Sequence, residues 1–154
     1  MNYEQKVSEF LNQKTIAIAG VSRNPQTAVG NAIYKKFKDN GYNIFPINPH
    51  AEIIEENKCY PNLKSIPEKV DAVFIATSPA VSTEIVKQSI DAGVKTIWFH
   101  RSIGNGSFSE EAAKLGEENG ITVIRSGCPM MYISKVDPFH KMMRFFMKLL
   151  GKLK

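Results

Sequence analysis

Short apolar runs alternate with amphipathic stretches along almost the whole chain. The apolar runs are TIAIA (15–19), YNIFPI (42–47), DAVFIA (71–76), KTIWF (95–99) and ITVI (121–124). The stretches with helical spacing of apolar residues occupy 3–13, 28–39, 80–92 and 109–119. Strands that alternate with amphipathic helices are typical of βαβ units, which place parallel strands in one sheet through right-handed crossovers. We therefore predict one doubly wound α/β domain with a parallel sheet of about five strands.

The remaining segments are expected to connect these elements. Residues 53–60 are mixed and would form a short edge strand, and Pro61 and Pro67 bracket a loop or a single helical turn. Ligands of such sheets bind beyond the carboxyl ends of the strands. The loops with functional interest are therefore 20–28, 48–52, 77–80, 100–107 and 125–130.

The positive charge of the chain is concentrated at its end. The net charge is +5, yet residues 1–138 hold fifteen basic and fifteen acidic residues, and residues 139–154 hold five basic residues and no acidic one. A basic pI that comes from one short segment argues against a general nucleic-acid-binding protein. We therefore divide the chain into a domain at 1–138 and a basic amphipathic helix at 139–154, for which Asp137 and Pro138 supply an N-cap and a first helical residue.

The tail helix combines an apolar stripe with a basic stripe. The apolar stripe consists of Phe139, Met142, Met143, Phe146, Leu149, Leu150 and Leu153, and the basic stripe of Lys141, Arg144, Lys148 and Lys152. An apolar stripe of this kind packs on protein or lies on an anionic membrane surface. We expect it to dock on protein, on its own domain or at a homodimer interface, with the basic residues in solvent; contact with a membrane or a calmodulin-like partner is the alternative.

The chain carries no sign of export in its sequence. The N-terminal residues MNYEQKVSEF are polar and charged, and no apolar run approaches the ~18 residues of a membrane span. Cys59 and Cys128 lie far apart and do not form a C-x-x-C motif. We expect a cytoplasmic protein with two reduced thiols.

The loop GVSRNPQTA (20–28) has the features of a phosphate-binding turn. Gly20 ends the first strand and lets a ligand approach the backbone closely. The backbone amides that follow it at the start of a helix favour anions. Ser22 adds a hydroxyl group and Arg23 a guanidinium suited to phosphate.

The same region departs from the fingerprint of NAD-binding proteins. It lacks the second and third glycines of G-x-G-x-x-G, and the second strand ends in Asn48-Pro49, where an acidic residue would bind the ribose. The residues therefore predict a ligand with phosphates that differs from NAD. A small NAD(P)-dependent oxidoreductase, in which Arg23 meets a 2′-phosphate, is the alternative.

The other loops offer weaker signals. Thr77 and Ser78 could cap the helix that begins near Pro79, and this structural role is favoured over a catalytic one. Cys128 and His100 could form a nucleophile pair, but no local motif supports it. His50, His100 and His140 lack the spacing of metal ligands, so we expect neither a metal site nor catalytic residues.

Taken together, IAIAGVSRNP, GYNIFPINP, DAVFIATSP, AGVKTIWF and a late Cys-Pro resemble a known family in their order and spacing. The chain is similar, over about residues 12–133, to small stand-alone CoA-binding proteins, whose fold resembles the N-terminal domain of the succinyl-CoA synthetase alpha subunit. The resemblance implies a Rossmann-like fold with coenzyme A across the carboxyl edge of the sheet. It also implies a binding module without the further domains of the larger synthetases.

The resemblance assigns residues to parts of that cofactor. Those at the pyrophosphate would be Gly20, Val21, Ser22, Arg23 and Asn24. Asn48 and Pro49 would lie at the adenosine, and Ala76, Thr77, Ser78 and Pro79 would flank the nucleotide from the other side. Trp98 and His100 would lie along the pantetheine arm. Ser126-Gly127 departs from the charged residue and arginine that the family usually has before Cys-Pro.

Overall fold

A computed structural model describes residues 1–25, 28–102 and 104–153 of the chain. Gln26 and Thr27 of the predicted phosphate turn, Ile103 and Lys154 lie outside the described residues. The helices are α1 (Tyr3–Leu11), α2 (Val29–Asp39), α3 (Pro79–Asp91), α4 (Glu110–Glu118) and α5 (Pro138–Leu149). The strands are β1 (Thr15–Ala19), β2 (Asn43–Ile47), β3 (Ile53–Ile54), β4 (Asn57–Lys58), β5 (Ala72–Ile75), β6 (Thr96–Phe99) and β7 (Thr122–Ile124). Short 3₁₀ turns occupy Leu63–Ser65 and Pro129–Met131.

Five of the strands form one parallel sheet in the order β2-β1-β5-β6-β7. This confirms the predicted doubly wound, Rossmann-like α/β fold. The last residue of β1, Ala19, pairs with Ile47 of β2 on one side and with Ile75 of β5 on the other. The chain proceeds from β1 outwards to β2 and then returns to the other side of β1, so the topological switch point lies between β1 and β5.

The sheet separates two apolar layers, because successive side chains of a strand point to opposite faces. Ile16, Ile18 and Trp98 face a layer that contains Phe10 of α1 and Phe37 of α2. The other layer includes residues of α3 and α4 and is built on Ala17, Ala19, Val73, Ile75, Ile97, Phe99 and Val123. Strands buried on both faces explain why the apolar runs are nearly continuous in the sequence.

The segment 53–60 differs from the predicted edge strand. Its residues form a separate antiparallel hairpin of β3 and β4, and within the described residues Tyr60 alone bridges to Ile47 at the end of β2. Glu55 and Glu56 at the hairpin tip have φ angles of 48° and 61°, as a tight two-residue turn requires. The tight turn folds the segment back on itself, so it does not extend the sheet.

Helix α5 begins as predicted and docks on the domain. Asp137 accepts a hydrogen bond from the amide of His140 at 3.0 Å, and Pro138 is the first helical residue. Met147 is buried, and its neighbour Met143 packs against the same core as α1 and α2. Arg144 and Lys148 both form ion pairs with Glu4 of α1, at 3.1 and 2.8 Å.

The orientation of α5 differs from the expectation. The basic residues Arg144 and Lys148 face the domain because Glu4 lies there, whereas much of the apolar stripe is uncovered by its own chain. Six large apolar residues of α5 and its end are between 50% and 71% exposed: Phe139, Met142, Phe145, Phe146, Leu149 and Leu150. A homodimer or a membrane contact through this face stays a prediction. In the described part of the chain no helix has the length and apolarity to cross a membrane.

Candidate functional site

The turns after β1 and β5 meet at the switch point, where ligands of such sheets bind, and this place is here called the β1–β5 crevice (residues 20–25 and 76–79). Gly20 has a φ of +99°, and a Cβ there would lie 2.6 Å from the carbonyl carbon of Ala76 and 2.8 Å from the nitrogen of Thr77. Both the positive φ and the contact require glycine. The backbone of the first turn is therefore pressed directly against the backbone of the second.

Gly30 in the first turn of α2 is the second glycine of this site. A Cβ at Gly30 would lie 2.4 Å from the carbonyl oxygen of Gly20. Close packing of helix on strand is the role of the last glycine in dinucleotide-binding turns. Sequence reasoning counted that glycine as missing, because the spacing from Gly20 is longer here. The signal was the glycine that follows the helix start in AVGN.

Asn31 holds the predicted phosphate turn in shape, and sequence reasoning missed it. Its buried side chain accepts a hydrogen bond from the amide of Ser22 at 2.6 Å and donates one to the carbonyl oxygen of Ser22 at 2.9 Å. The Ser22 hydroxyl in turn accepts a hydrogen bond from the amide of Asn24 at 3.0 Å. The amides of Ser22 and Asn24 are thus satisfied inside the turn, and do not point freely at a ligand as expected.

The end of β2 is fastened to the same turn. The Asn48 side chain donates to the carbonyl oxygen of Val21 at 2.8 Å and accepts from the amide of His50 at 2.8 Å. Pro49 lines a cavity of about 910 Å³ between this loop and the β3–β4 hairpin. The structure therefore places Asn48 beside the turn, with its side chain engaged in holding two loops together. Its predicted contact with the adenosine of CoA stays a prediction.

An acidic residue reaches the turn from the hairpin. Glu55 accepts a hydrogen bond from the side-chain amide of Asn31 at 3.1 Å. Sequence reasoning found no acidic residue near the phosphate turn, because Glu55 lies 24 residues away from Asn31 in the chain. Only the fold of the hairpin brings the two together, and no local pattern would have revealed it.

Thr77 and Ser78 behave differently from the capping prediction. Ser78 occupies the N-cap position of α3, but its side chain makes no capping hydrogen bond, and the residue is exposed. Thr77 lies 3.2 Å from the hydroxyl of Ser82, which donates to the carbonyl oxygen of Ser107 at 2.7 Å. The predicted side-chain cap is therefore wrong, because Thr77 turns inwards to Ser82 and Ser78 turns outwards.

The helices that begin at the crevice are the ones without side-chain caps. Within the described residues, α1, α4 and α5 start at Asn2, Ser109 and Asp137, and each of these side chains accepts a backbone hydrogen bond. Helices α2 and α3 start at Ala28 and Ser78 without one. An uncapped helix N-terminus leaves amide groups and a partial positive charge for an external partner. Both uncapped ends border the β1–β5 crevice, and the exposed Arg23 lies in the same turn.

Trp98 lies on β6, and His100 follows directly after this strand. Trp98 is fully buried and donates its indole N–H to the carbonyl oxygen of Ser126 at 2.9 Å, so it presents no surface to a ligand in this structure. The sequence could not distinguish this residue from a ligand contact, because both occur at the end of a strand. His100 is partly exposed, and burial lowers the pKa of its imidazole, which is therefore neutral at pH 7.

The loop 104–107 is shaped by backbone contacts. A Cβ at Gly106 would lie 2.1 Å from the carbonyl oxygen of His100, and its φ is +57°. Ser107 is buried and donates to the carbonyl oxygen of Ile75 at 2.6 Å. The glycine and the serine therefore hold the carboxyl ends of β5 and β6 together.

Ser126, Gly127 and Cys128 are packed against other parts of the protein. The Ser126 hydroxyl donates to the carbonyl oxygen of Lys152 at 2.7 Å, and a Cβ at Gly127 would lie 2.1 Å from the hydroxyl of Tyr3. Ser126 and Gly127 are the residues at which this chain departs from the family motif. Ser126 contacts the tail, and Gly127 lies against α1. Cys128 is buried, and burial raises the pKa of its thiol to about 11. The structure gives no support to a Cys128–His100 nucleophile pair, and both cysteines are free.

Comparison with known proteins agrees with this architecture. Residues 14–134 match the model of a family described as CoA binding domain. The chain belongs to this family. Sequence relatives include an ADP-forming acetate–CoA ligase II of Archaeoglobus fulgidus, 34% identical over 106 residues that make up 68% of this chain and 15% of the ligase. The alpha subunit of the corresponding Pyrococcus furiosus ligase is 28% identical over 77% of this chain and 27% of the subunit.

One solved structure resembles this chain over more of its length. A hypothetical protein from Pyrococcus horikoshii superimposes with a TM-score of 0.75 and 29% identity, and the match covers 98% of this chain and 94% of that one. The chain thus spans a small part of the ligases that it matches, and nearly the whole of this structural relative. These relatives do not support the NAD(P)-dependent alternative.

Proposed function

We propose that this protein binds coenzyme A, or an acyl-CoA, across the β1–β5 crevice, and that it does so without a catalytic reaction of its own. The main support is the pair of uncapped helix N-termini, α2 and α3, on the two sides of the crevice. Helix N-termini favour anions, so two of them beside one crevice suit a ligand with several phosphates. CoA carries a pyrophosphate and a 3′-phosphate.

The crevice residues fit the phosphates of such a ligand. The Gly20 backbone lies in direct contact with Ala76 and Thr77, so a phosphate above it can approach both turns. The Ser78 hydroxyl, free of a capping bond, supplies a donor at the start of α3. Arg23 is exposed in the first turn, and the described residues offer it no ion pair. We infer that Arg23 and Ser78 hold the phosphates from opposite sides.

The absence of a reaction is inferred from Cys128 and from the small part of the ligases that this chain matches. Cys128 lies inside the core and its raised pKa keeps it a thiol, so it does not serve as a nucleophile. The ligase relatives act through proteins of which this domain is a small part. We infer that the function shared with them is CoA binding, and that the whole ligase reaction is not.

Calorimetric titration tests the proposal. CoA, NADP and NAD are titrated into the wild-type protein and into Arg23→Ala at fixed salt, with Lys87→Ala, an exposed cation in the middle of α3, as the matched control. CoA should bind the wild-type protein and Lys87→Ala equally. The Arg23→Ala change should weaken binding by about 1.5–3 kcal/mol, roughly 10- to 150-fold, because it removes a charge-assisted contact.

Two results would contradict the proposal. If CoA does not bind while NADP or NAD does, the ligand is wrong. If CoA binds Arg23→Ala as tightly as Lys87→Ala, Arg23 has no part in the site. Steady turnover of acyl-CoA by the purified protein would remove the non-catalytic part of the proposal.

A further inference from the structure

A groove of about 350 Å³ lies along α5, on the side that faces the loop after β6. Six apolar residues line it, and we call it the tail groove: Phe139, Met142, Met143, Phe146, Met147 and Leu150. Among the described residues, Ser102 and Lys152 complete its lining. A pocket with so little polar lining suits an aliphatic group, and methionine side chains adapt to irregular apolar ligands.

A second cavity adjoins the tail groove. It also measures about 350 Å³ and lies at the carboxyl ends of β6 and β7, where Arg101 and Ser126 line it. The two cavities share Ser102, Met147 and Lys152 as lining residues. The apolar groove therefore begins where the cavity at the sheet edge ends.

The length of CoA matches the path from the phosphate turn to this cavity. The sheet order places β5, β6 and β7 successively beside β1, so the end of β7 lies three strand spacings, roughly 14 Å, from the turn after β1. The pantetheine arm has about a dozen backbone bonds, comparable to four peptide residues, and spans roughly 13–14 Å when extended. A CoA with its pyrophosphate at the β1–β5 crevice can thus place its sulfur atom in the cavity beside the tail groove.

We propose that the tail groove binds the aliphatic chain of an acyl-CoA, with the thioester in the adjoining cavity. This rests on the proposed function, since the groove receives the acyl chain only if CoA binds at the crevice. A second copy of the chain is a poorer occupant, because Lys152 lines the groove and the described residues offer it no ion pair, so a symmetric contact would bring like charges together. An acyl chain has no charge and matches the apolar lining.

Chain-length dependence of binding tests this inference. CoA, acetyl-CoA, octanoyl-CoA and free octanoate are each titrated into the full chain, below the concentrations at which octanoyl-CoA aggregates. Octanoyl-CoA should bind at least tenfold more tightly than acetyl-CoA. Each fully buried methylene contributes about fourfold, so the burial of two of the six extra methylenes is sufficient. Free octanoate should bind far more weakly, because the phosphates are missing.

Two neighbouring phenylalanines provide a matched pair of variants. Phe146 lines the tail groove, whereas Phe145 lies on the same helix, is 64% exposed and does not line it. Phe146→Asp should abolish the preference for octanoyl-CoA over acetyl-CoA and leave the affinity for CoA unchanged. Phe145→Asp should keep both the preference for octanoyl-CoA and the affinity for CoA. Sedimentation of each protein is measured alongside, and circular dichroism checks that both variants fold.

The outcomes separate this inference from the proposed function. If CoA binds and acetyl-CoA and octanoyl-CoA bind equally, the acyl groove is refuted and the CoA site stands. If CoA itself does not bind, the proposed function fails first. If Phe146→Asp turns a dimer into a monomer while the chain-length preference is absent, the groove is covered by a second copy and the inference is overturned.

Discussion

Replacing Gly30 by alanine tests the contact that builds the candidate site. In an ordinary helix this change stabilises by about 1 kcal/mol. Here the new Cβ would lie 2.4 Å from the carbonyl oxygen and 2.8 Å from the carbonyl carbon of Gly20. Both are backbone atoms, so no side-chain rotation can relieve the contact, and the first turn of α2 must move away from the end of β1.

The size of the effect follows from that displacement. Overpacking typically costs about 1–3 kcal/mol, and a contact this short with backbone atoms belongs to the upper part of that range, about 2–3 kcal/mol. After the helical gain of about 1 kcal/mol, the net loss is roughly 1–2 kcal/mol. For a chain of this length the Tm should fall by about 2–8 °C. The affinity for CoA should fall by about tenfold or more, because the shift misplaces Asn31 and the turn that it holds.

Differential scanning calorimetry and calorimetric titration with CoA measure the two effects. The matched control is Gly116→Ala, which also adds a Cβ to a helical glycine. Its nearest neighbour would be a side-chain methyl group of Val123 at 3.1 Å, which can shift. The control should stay within about 1 kcal/mol of the wild-type protein and bind CoA normally. A Gly30→Ala protein with wild-type Tm and affinity would refute the tight packing of α2 on the phosphate turn.

Two further predictions concern charge. Glu55→Gln keeps an acceptor for Asn31 but removes a negative charge near the turn, so CoA should bind more tightly, by up to about tenfold, in a titration at low salt; weaker binding would indicate instead that the carboxylate contacts the ligand. Burial raises the pKa of the Cys128 thiol to about 11 in the folded protein, whereas the unfolded thiol has a pKa near 9. The stability that comes from keeping this thiol protonated is therefore complete below about pH 9 and is lost as the pH rises through about 11. Denaturant unfolding of the wild-type protein should therefore show stability that falls from pH 9 to pH 11, with a smaller slope in Cys128→Ala; equal slopes would contradict the assignment.

The sequence determined the layout of the α/β fold. Strands buried on both faces and amphipathic helices have distinct local periods, so the five parallel strands and their helices could be predicted from the chain. The tight turn after β1 could also be located, because Gly20 is a local requirement of the backbone. The order of the motifs gave the family, which the match over residues 14–134 confirms.

The surroundings of the site depended on the tertiary structure. Asn31 meets Glu55 across 24 residues, and Ser82 meets Ser107 across 25, so neither pair produces a local pattern. Ser78 shows the converse, because its local pattern predicts a capping side chain that the folded turn does not use. Which polar groups are satisfied within the protein, and which are left for a ligand, is decided by such long-range contacts.

The tail helix shows most clearly what a local sequence pattern cannot predict, namely which face of the helix docks on the domain. Its sequence fixes an apolar stripe and a basic stripe at helical spacing, and it fixes the start of α5 at Asp137 and Pro138. It does not say which side meets the domain, because both stripes can find partners. Glu4, 140 residues from Arg144, attracts the basic side, and Met147 anchors the adjacent edge in the core. The apolar face is left uncovered because the helix docks by the contacts that the folded domain offers, and not by its most apolar side.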